Sequence, residues 1–479
     1  MSDDFEWTDA TAQAAAVRDG DVTPTELLDA ALARIEARNP TLNAVIHDLS
    51  DKARATAADP ALPDGPFRGV PFLLKDAVAH SAGDPYNCGM QVLKDAGWTE
   101  PEDTWLVERF RAAGFVICGK TNLPELASSV TTEPLAYGPT RNPWDTKRSP
   151  GGSSGGAGAA VASGMVAVAH GNDMGGSIRF PSSMCGLVGL KPSRARSTLG
   201  PDFGEYWAMT THEHVLVRSV RDTAGVLDAI AGPGVGDPYT APPPSRPFID
   251  EVGADPGRLR IGVRTASTEA AADTHPDCVA AVAIAATALE ALGHHVEPTE
   301  LRALDNPRFA DGITNVFATF VAGDLTRWSK KLGRELVPSD LEPFNEMLAE
   351  VGAATSAVAY AAGIESLQTY SRGLAGWWGD GNDVLVTPVL TQPPFKLGWL
   401  GPEVDPGEMF GRLDVTSFSM PFNVTGQPAI SLPLHWNDDG LPIGVQLVAA
   451  YGREDLLLRV ASQLERALPW ADRHPPSLA

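Results

Sequence analysis

The segment 148–191 constrains the fold of this chain more than any other part of the sequence. It contains two serines set among glycines, Ser153 in GGSSGG and Ser177 in DMGGSIR, and most of its other residues are small or apolar. Glycine adopts backbone conformations that other residues avoid, and it has no side chain to obstruct neighbouring N–H groups. The segment can therefore pack closely while leaving two hydroxyl groups accessible to a carbonyl group.

The composition indicates a chain that can bury a large core. Hydrophobic residues make up 43% and charged residues 20% of the 479 residues, which argues against disorder. The formal net charge is −23, so we expect no binding to nucleic acid or to an anionic membrane surface. Length alone is compatible with about three domains, but large single α/β domains also occur.

The cysteines and the first residues of the chain indicate the cellular compartment in which the protein is expected. The four cysteines are widely spaced and form no C-x-x-C pair, which predicts buried thiols rather than disulfides or a zinc site. The start, MSDDFEW, is acidic and lacks the apolar stretch of a secretory signal. No uninterrupted apolar run reaches the roughly 18 residues of a membrane span. We therefore expect a cytoplasmic protein, and no metal or cofactor site is indicated, since the glycines match neither a phosphate loop nor a dinucleotide fingerprint.

Apolar strands alternate with amphipathic helices along the chain, which predicts an α/β fold. Thr23 and Glu26 form a capping box, with Pro24 at the first helical position, and we expect the helix that starts there to end before Pro40. A helical and more polar stretch at about 303–378 predicts a layer over one side of the core. The pattern predicts strands at 43–47, 70–74, 115–118, 165–169, 258–263, 383–388, 422–434 and 442–449, helices at 105–113, 153–163, 276–292 and 453–468, and loops at 119–125 and 172–177.

The loop before Ser177 has the composition of an anion-binding site. Met174, Gly175, Gly176 and Ser177 offer successive backbone N–H groups, and such a nest can hold a developing oxyanion. A serine at the end of this nest is placed to attack the carbonyl group whose oxygen the nest holds. The alternative is a tight turn in which the glycines only provide positive φ angles.

Ser153 lies near the predicted start of a helix, where the helix dipole favours negative charge. The simpler alternative for Ser153, or for its neighbour Ser154, is a helix N-cap. Two glycine-flanked serines with a base would instead form a catalytic relay.

Lys75 is the preferred base. It ends the apolar stretch GVPFLL, so burial would favour its neutral amine, which can accept a serine proton. The alternative is a strand-end lysine whose amine extends into water. His170 precedes the Ser177 loop, but the sequence shows no carboxylate that would orient it.

Several separated segments, in this order, resemble the amidase signature family: GVPFLLKDAV, GKTNLPE, SPGGSSGGAGAAVASG, GNDMGGSIRFPSSMCGLVGLKPS and PFNVTGQPAISLPL. The resemblance covers most of the chain. It implies a single α/β amidase-signature domain over residues 1–479, with a central mixed twisted sheet flanked by helices and the region 303–378 shaping the substrate pocket. It also implies a homodimer.

The resemblance assigns roles to individual residues. Ser177 becomes the nucleophile, Ser153 the bridging serine after a cis peptide bond at Gly152, and Lys75 the base.

Residues 174–177 fall on the oxyanion-hole positions of the family, and Ala127 falls on a position of its substrate pocket. We expect Asp173 and Arg179 to be supporting charges that fix the loop; for Arg179 the alternative is a surface ion pair.

The resemblance implies hydrolysis of a small-molecule amide through an acyl-enzyme. Candidate substrates are linear or cyclic amides, including oligomers of 6-aminohexanoate, and anilides or carbamates. One alternative is the amidase subunit of a glutamine-dependent tRNA amidotransferase, which works only within a complex. A second is an α/β-hydrolase with its nucleophile elbow at Ser153, which requires a preceding strand. A third is a non-enzymatic binding protein on this scaffold.

Overall fold

A computed structural model describes residues 5–268 and 273–476 of the chain. The first four residues, on which part of the expectation about a secretory signal rests, lie outside these ranges. Among the described residues, no single helix has the length and apolar character needed to cross a membrane. One pair of helices, Pro343–Ala354 and Ala357–Gly379, meets that criterion only when taken together, and the pair is bent by 107°.

One mixed β-sheet, with eleven strands across the described ranges, forms the centre of the fold. In chain order the strands are β1 (Val45–Asp48), β2 (Pro71–Lys75), β3 (Val116–Thr121), β4 (Val168–Asp173), β5 (Val188–Lys191), β6 (His212–Val217), β7 (Arg260–Val263), β8 (His295–Pro298), β9 (Val384–Pro388), β10 (Ala429–Trp436) and β11 (Pro442–Ala449). Their spatial order is β1-β3-β2-β4-β6-β5-β10-β11-β9-β7-β8. β2 runs parallel to β3 and β4, whereas β6 is antiparallel to β4 and β5.

Helices flank the sheet, which confirms the predicted α/β class. They are α1 (Ala10–Asp19), α2 (Pro24–Leu42), α3 (Ser50–Ala58), α4 (Gln91–Asp95), α5 (Trp105–Ala112), α6 (Gly155–Ala162), α7 (Arg179–Cys185), α8 (Val220–Ile230), α9 (Pro276–Ala291), α10 (Arg308–Leu332), α11 (Pro343–Ala354), α12 (Ala357–Gly379), α13 (Pro406–Arg412), α14 (Met420–Thr425) and α15 (Glu454–Ala467). The expected helical layer is formed by α10, which packs against α11 and α12.

Proline and glycine positions explain two errors in the predicted elements. α2 starts with the predicted capping box but continues through Pro40 to Leu42, because a proline in the last turn removes only a terminal hydrogen bond. The strand predicted at 422–434 begins too early, since Pro421 stands at the start of a short helix that Gly426 ends in a left-handed conformation. The strand itself begins at Ala429.

Two strands extend further than their polar ends suggested. β3 continues to Thr121 and β4 to Asp173, so the predicted loops at 119–125 and 172–177 both begin too early, as does the strand predicted at 165–169. Every residue of these two strands is buried. Polar residues at these strand ends, such as Lys120 and Asp173, are buried in ion pairs with Asp76 and Arg179, and an apolar pattern cannot reveal this.

Candidate active site

Lys75 is the last residue of β2 and is completely buried. Its amine Nζ lies 2.7 Å from Oγ of Ser153, 3.0 Å from Oγ of Ser154 and 2.6 Å from Oδ1 of Asn172. Asn172 belongs to β4, which runs parallel to β2, so both strands deliver these side chains to the same edge of the sheet.

The hydrogen bonds around the Lys75 amine have defined directions. Asn172 uses Nδ2 to donate to the carbonyl of Ala77, so its Oδ1 can only accept from the amine. Ser154 donates its hydroxyl hydrogen to the carbonyl of Asn172, at 3.2 Å, and therefore also accepts from the amine. A neutral amine has two hydrogens and one lone pair, so its lone pair is left for the Ser153 hydroxyl. The arrangement suits an amine that receives a proton from Ser153.

The protonation of Lys75 is shifted in the same direction. Burial lowers the pKa of Lys75 to about 7, although the nearby charges of Glu213 and Asp173 and the Cys88 thiol raise it. A substantial fraction of the amine is therefore neutral near pH 7. The alternative of a strand-end lysine that extends into water is wrong.

The segments that carry Ser153 and Ser177 lie against each other although they are separate in sequence. α6 begins at Gly155, so Ser153 precedes the helix and is not its N-cap; Ser154 holds that position without a capping hydrogen bond. The peptide bond between Gly152 and Ser153 is cis, as the resemblance implied. The N–H of Ser154 donates to the carbonyl of Ser177 at 3.3 Å, which ties the two segments together.

The loop from Met174 to Ser177 depends on glycine at one position in particular. Gly176 has φ +140°, and a Cβ there would lie 2.1 Å from the ring of Phe180. No side chain fits this position without moving the ring, so the loop keeps its backbone close to the site. Ala127 faces the same space as this loop and has a positive φ of 56°.

A cavity of about 330 Å³ opens beside Ser177. Met174, Gly175 and Ala127 line it, so the structure brings these predicted site residues together with the serine. The helical layer contributes an apolar wall of side chains from α10 and α11: Phe309, Ile313, Phe317, Phe344 and Leu348. Among the described residues that line the cavity, Asp414 is the only charged one.

Asp173 and Arg179 form a completely buried ion pair next to the loop. Arg179 donates to both carboxylate oxygens, at 2.9 and 3.0 Å, and also to side chains of Asn423 and Gln446. Burial alone would raise the pKa of Asp173, but the positive charges of Arg179 and Lys191 hold it well below its usual value. The alternative of a surface ion pair for Arg179 is therefore wrong.

Two other sequence-based interpretations are also wrong. Residues 141–152, all of which the structure describes, form turns and isolated bridges but no strand. Ser153 is therefore not at a strand–turn–helix elbow. His170 does have an orienting carboxylate, because its Nε2 lies 2.5 Å from Oε2 of Glu213. Glu213 is remote in sequence, and only the pairing of β4 with β6 brings it close.

Comparison with known proteins identifies the family. Residues 26–458 match the Amidase family. The chain belongs to the amidase signature family. It is 44% identical to 6-aminohexanoate-cyclic-dimer hydrolase of Paenarthrobacter ureafaciens, over 98% of this chain and 97% of that protein.

Solved structures agree with this assignment. The structure of 6-aminohexanoate cyclic dimer hydrolase complexed with substrate superposes with a TM-score of 0.94 at 44% identity, covering 98% of this amidase and 99% of that chain. A bacterial aryl acylamidase of the amidase signature family gives a TM-score of 0.86 at 26% identity, covering 97% of each chain. This amidase is therefore an amide hydrolase that acts on C–N bonds other than peptide bonds.

Several polar residues of the amidase site were not predicted from the sequence. Asn172 and Ser154 complete the surroundings of the Lys75 amine, and Asn423 donates to the carboxylate of Asp173 at 2.7 Å. Ser154 and Asn172 stand beside predicted site residues, and that adjacency was a usable signal. Asn423 lies in the family-like segment PFNVTGQPAISLPL, but no local pattern there indicates a contact with Asp173.

Replacing Arg179 with methionine should strongly destabilise the amidase. The substitution leaves the Asp173 carboxylate buried without its cation, and breaking a buried pair in this way costs about 3–5 kcal/mol. Chemical denaturation of both proteins measures the difference. Arg221→Met is the matched control, because Arg221 is 48% exposed in its ion pair with Asp9 and should cost about 1 kcal/mol or less. Equal losses in the two variants would contradict a structural role for the buried pair.

Proposed function

We propose that the chain hydrolyses amides with Ser177 as nucleophile, Ser153 as proton shuttle and Lys75 as base. The observation that carries the proposal is the hydrogen bonding of the buried Lys75 amine, which leaves its lone pair facing the Ser153 hydroxyl at 2.7 Å. A neutral amine in this position can draw the Ser177 proton through Ser153. Ser177 lines the cavity in which a substrate carbonyl group would lie.

The proton balance of the proposed reaction closes within these three residues. Ser177 Oγ attacks the amide carbon as its proton moves to Ser153 and the Ser153 proton moves to Lys75. The backbone N–H groups of residues 174–177 hold the oxyanion. Lys75 then returns its proton through Ser153 to the leaving nitrogen, the C–N bond breaks, and an acyl-enzyme remains. Water hydrolyses this ester by the same relay in the opposite order. Asp173 and Arg179 take no part in the chemistry and hold the loop.

The charges of the cavity limit the substrate class. The described residues that line it include no lysine, arginine or histidine, and their only charged group is the exposed carboxylate of Asp414. A buried anion without a cation is unfavourable, whereas a neutral or positively charged chain is accommodated. We therefore infer that the substrate is an apolar amide that is neutral or carries an ammonium group.

A cyclic dimer of 6-aminohexanoate meets this requirement. The ring is uncharged, and opening it leaves an acyl chain whose far end carries the released amine. The 44% identity to a 6-aminohexanoate-cyclic-dimer hydrolase supports this substrate. Glutamine carries a carboxylate for which the described lining offers no cation, so the alternative of a tRNA amidotransferase subunit is disfavoured.

A hydrolysis screen tests the proposed substrate class. The substrates are the cyclic dimer of 6-aminohexanoate, glutamine, a carbamate and three p-nitroanilides of similar length whose acyl ends are neutral, ammonium or carboxylate. We expect the cyclic dimer and the neutral and ammonium anilides to be hydrolysed, and glutamine and the carboxylate anilide to be poor. A preference for glutamine, or for the carboxylate anilide, would overturn the substrate assignment.

Asp414 should contribute to the preference for the ammonium substrate. We expect Asp414→Asn to lower kcat/KM for the ammonium anilide by about two- to fivefold, because an exposed ion pair is worth up to about 1 kcal/mol. The value for the neutral anilide should stay unchanged. Glu403→Gln removes an exposed carboxylate that does not line the cavity and serves as the control. Equal effects on both anilides would exclude a charge contact.

The compartment and the assembly are proposed from the cysteines, the net charge and the family resemblance. All four cysteines are free and buried, which supports a reducing compartment such as the cytoplasm. The net charge of −23 makes nucleic acid and anionic membranes poor partners. The family resemblance leads us to expect a homodimer, and light scattering of the purified protein would measure this.

A further inference from the structure

The end of strand β2 is held by a side chain of the neighbouring strand. The parallel register between β2 and β4 covers Phe72 and Leu73. Two residues further on, the backbone N–H of Lys75 donates to Nδ1 of His170 at 3.2 Å. The imidazole of His170 therefore accepts the hydrogen bond that a backbone carbonyl of a paired strand would otherwise accept. It does so at the end of β2, next to the Lys75 side chain.

Glu213 determines the state of this imidazole. His170 is completely buried, and its Nε2 lies 2.5 Å from Oε2 of Glu213. Because Nδ1 accepts from a backbone N–H, the ring proton must be on Nε2, where it is donated to the carboxylate. Glu213 is 1% exposed, and its Oε1 has no hydrogen-bond partner among the described residues. The carboxylate thus fixes both the tautomer and the orientation of the ring.

The same face of the sheet also holds the far end of Lys75. Glu213 on β6 is directly opposite Asn172 on β4, and His170 lies two residues before Asn172. Alternate residues of a strand, and residues directly opposite them, share a face of the sheet. His170 accepts from the backbone of Lys75, and Asn172 accepts from its amine. The backbone and the amine of Lys75 are therefore both held by this face.

We propose that Glu213, acting through His170, is a positioning residue for Lys75 that holds the end of β2 and supplies a negative charge near the amine. This inference rests on the proposed role of Lys75 as the base. It adds to that role two residues that touch neither the substrate nor the serines.

Three ionisable groups from different elements lie near the Lys75 amine. They are Glu213 on β6, Asp173 on β4 and Cys88 in the loop after β2. Burial raises the pKa of the Cys88 thiol to about 12, so this group is uncharged near neutral pH. Glu213 and Asp173 raise the pKa of Lys75 against the larger lowering effect of burial. Removing the charge of Glu213 must therefore lower the pKa of Lys75 further.

Two substitutions of Glu213 separate charge from position. Glu213→Gln keeps an oxygen that can accept from His170 but removes the charge. The acid limb of the pH profile of kcat/KM, where activity falls as Lys75 becomes protonated, should therefore move to lower pH by about half a unit to one unit. Glu213→Asp keeps the charge but shortens the reach to His170. Its acid limb should stay near that of the wild type while kcat falls. Both profiles are measured on the best substrate of the hydrolysis screen.

A purely structural role for Glu213 predicts a different result. Glu454→Gln is the matched control, since Glu454 is completely buried and pairs with Arg196 away from Lys75. This variant should lower the thermal unfolding midpoint without moving the acid limb. If Glu213→Gln behaves in the same way, the positioning inference is overturned while Lys75 can still be the base. If the wild type has no limb near pH 7 and Lys75→Met stays active, the proposed base itself is wrong.

Discussion

Ser177→Ala is expected to lower kcat/KM by roughly 10,000- to 1,000,000-fold, which is the scale seen when a catalytic serine is removed from a relay. The substitution removes the oxygen that would form the acyl-enzyme, and Ser153 alone offers no attacking atom at the cavity. Steady-state hydrolysis of the cyclic dimer of 6-aminohexanoate measures the loss. The fold should be unaffected, because Ser177 is replaced by a smaller side chain beside an open cavity.

A second serine provides the control for this substitution. Ser182 lies in α7, five residues after Ser177, and its buried hydroxyl has no hydrogen-bond partner among the described residues. Ser182→Ala should therefore keep nearly full activity and stability. Mass spectrometry of protein quenched during turnover of a slow anilide should find the acyl group on the peptide that contains Ser177. An acyl group on another residue, or an active Ser177→Ala variant, would refute the nucleophile assignment.

The fold class could be predicted because apolar runs mark buried strands wherever both faces of the sheet are covered. The strand that ends at Lys75 was predicted from such a run, and the structure places it at residues 71–75. Strand ends were predicted less well, since residues such as Thr121 and Asp173 are polar and yet completely buried. The side-chain partners of Asp173 are Arg179 on α7 and Asn423 on α14, and a local apolar pattern does not reveal them.

In the candidate site, too, local features were predicted from the sequence and contacts between distant residues were not. Glycine-flanked serines and a lysine after an apolar run are local features, and the segment resemblance assigned them roles. Glu213 and Asn423 act on the site from distant parts of the chain. Their contribution depends on sheet order and on hydrogen-bond direction, which the structure is needed to show.

The activity should fall below about pH 7 because the proposed base must be neutral. Burial lowers the pKa of Lys75 to about 7, so protonation below this pH removes the lone pair that faces Ser153. We expect kcat/KM to fall about tenfold per unit at lower pH and to level off above about pH 8. Lys75→Met should reduce activity by roughly 100- to 10,000-fold and abolish this limb in the residual rate.

Another acid near the cavity could produce a similar limb and must be tested. Burial raises the pKa of Glu342, at the start of α11, to about 7, and Glu342 belongs to the helical layer beside the cavity. Protonation of Glu342 would affect the cavity wall that binds the substrate, and not the proton relay. Glu342→Gln should therefore retain the acid limb, whereas Lys75→Met should lose it. If Glu342→Gln loses the acid limb and Lys75→Met retains it, the limb reports the titration of Glu342, and Lys75 is not the base.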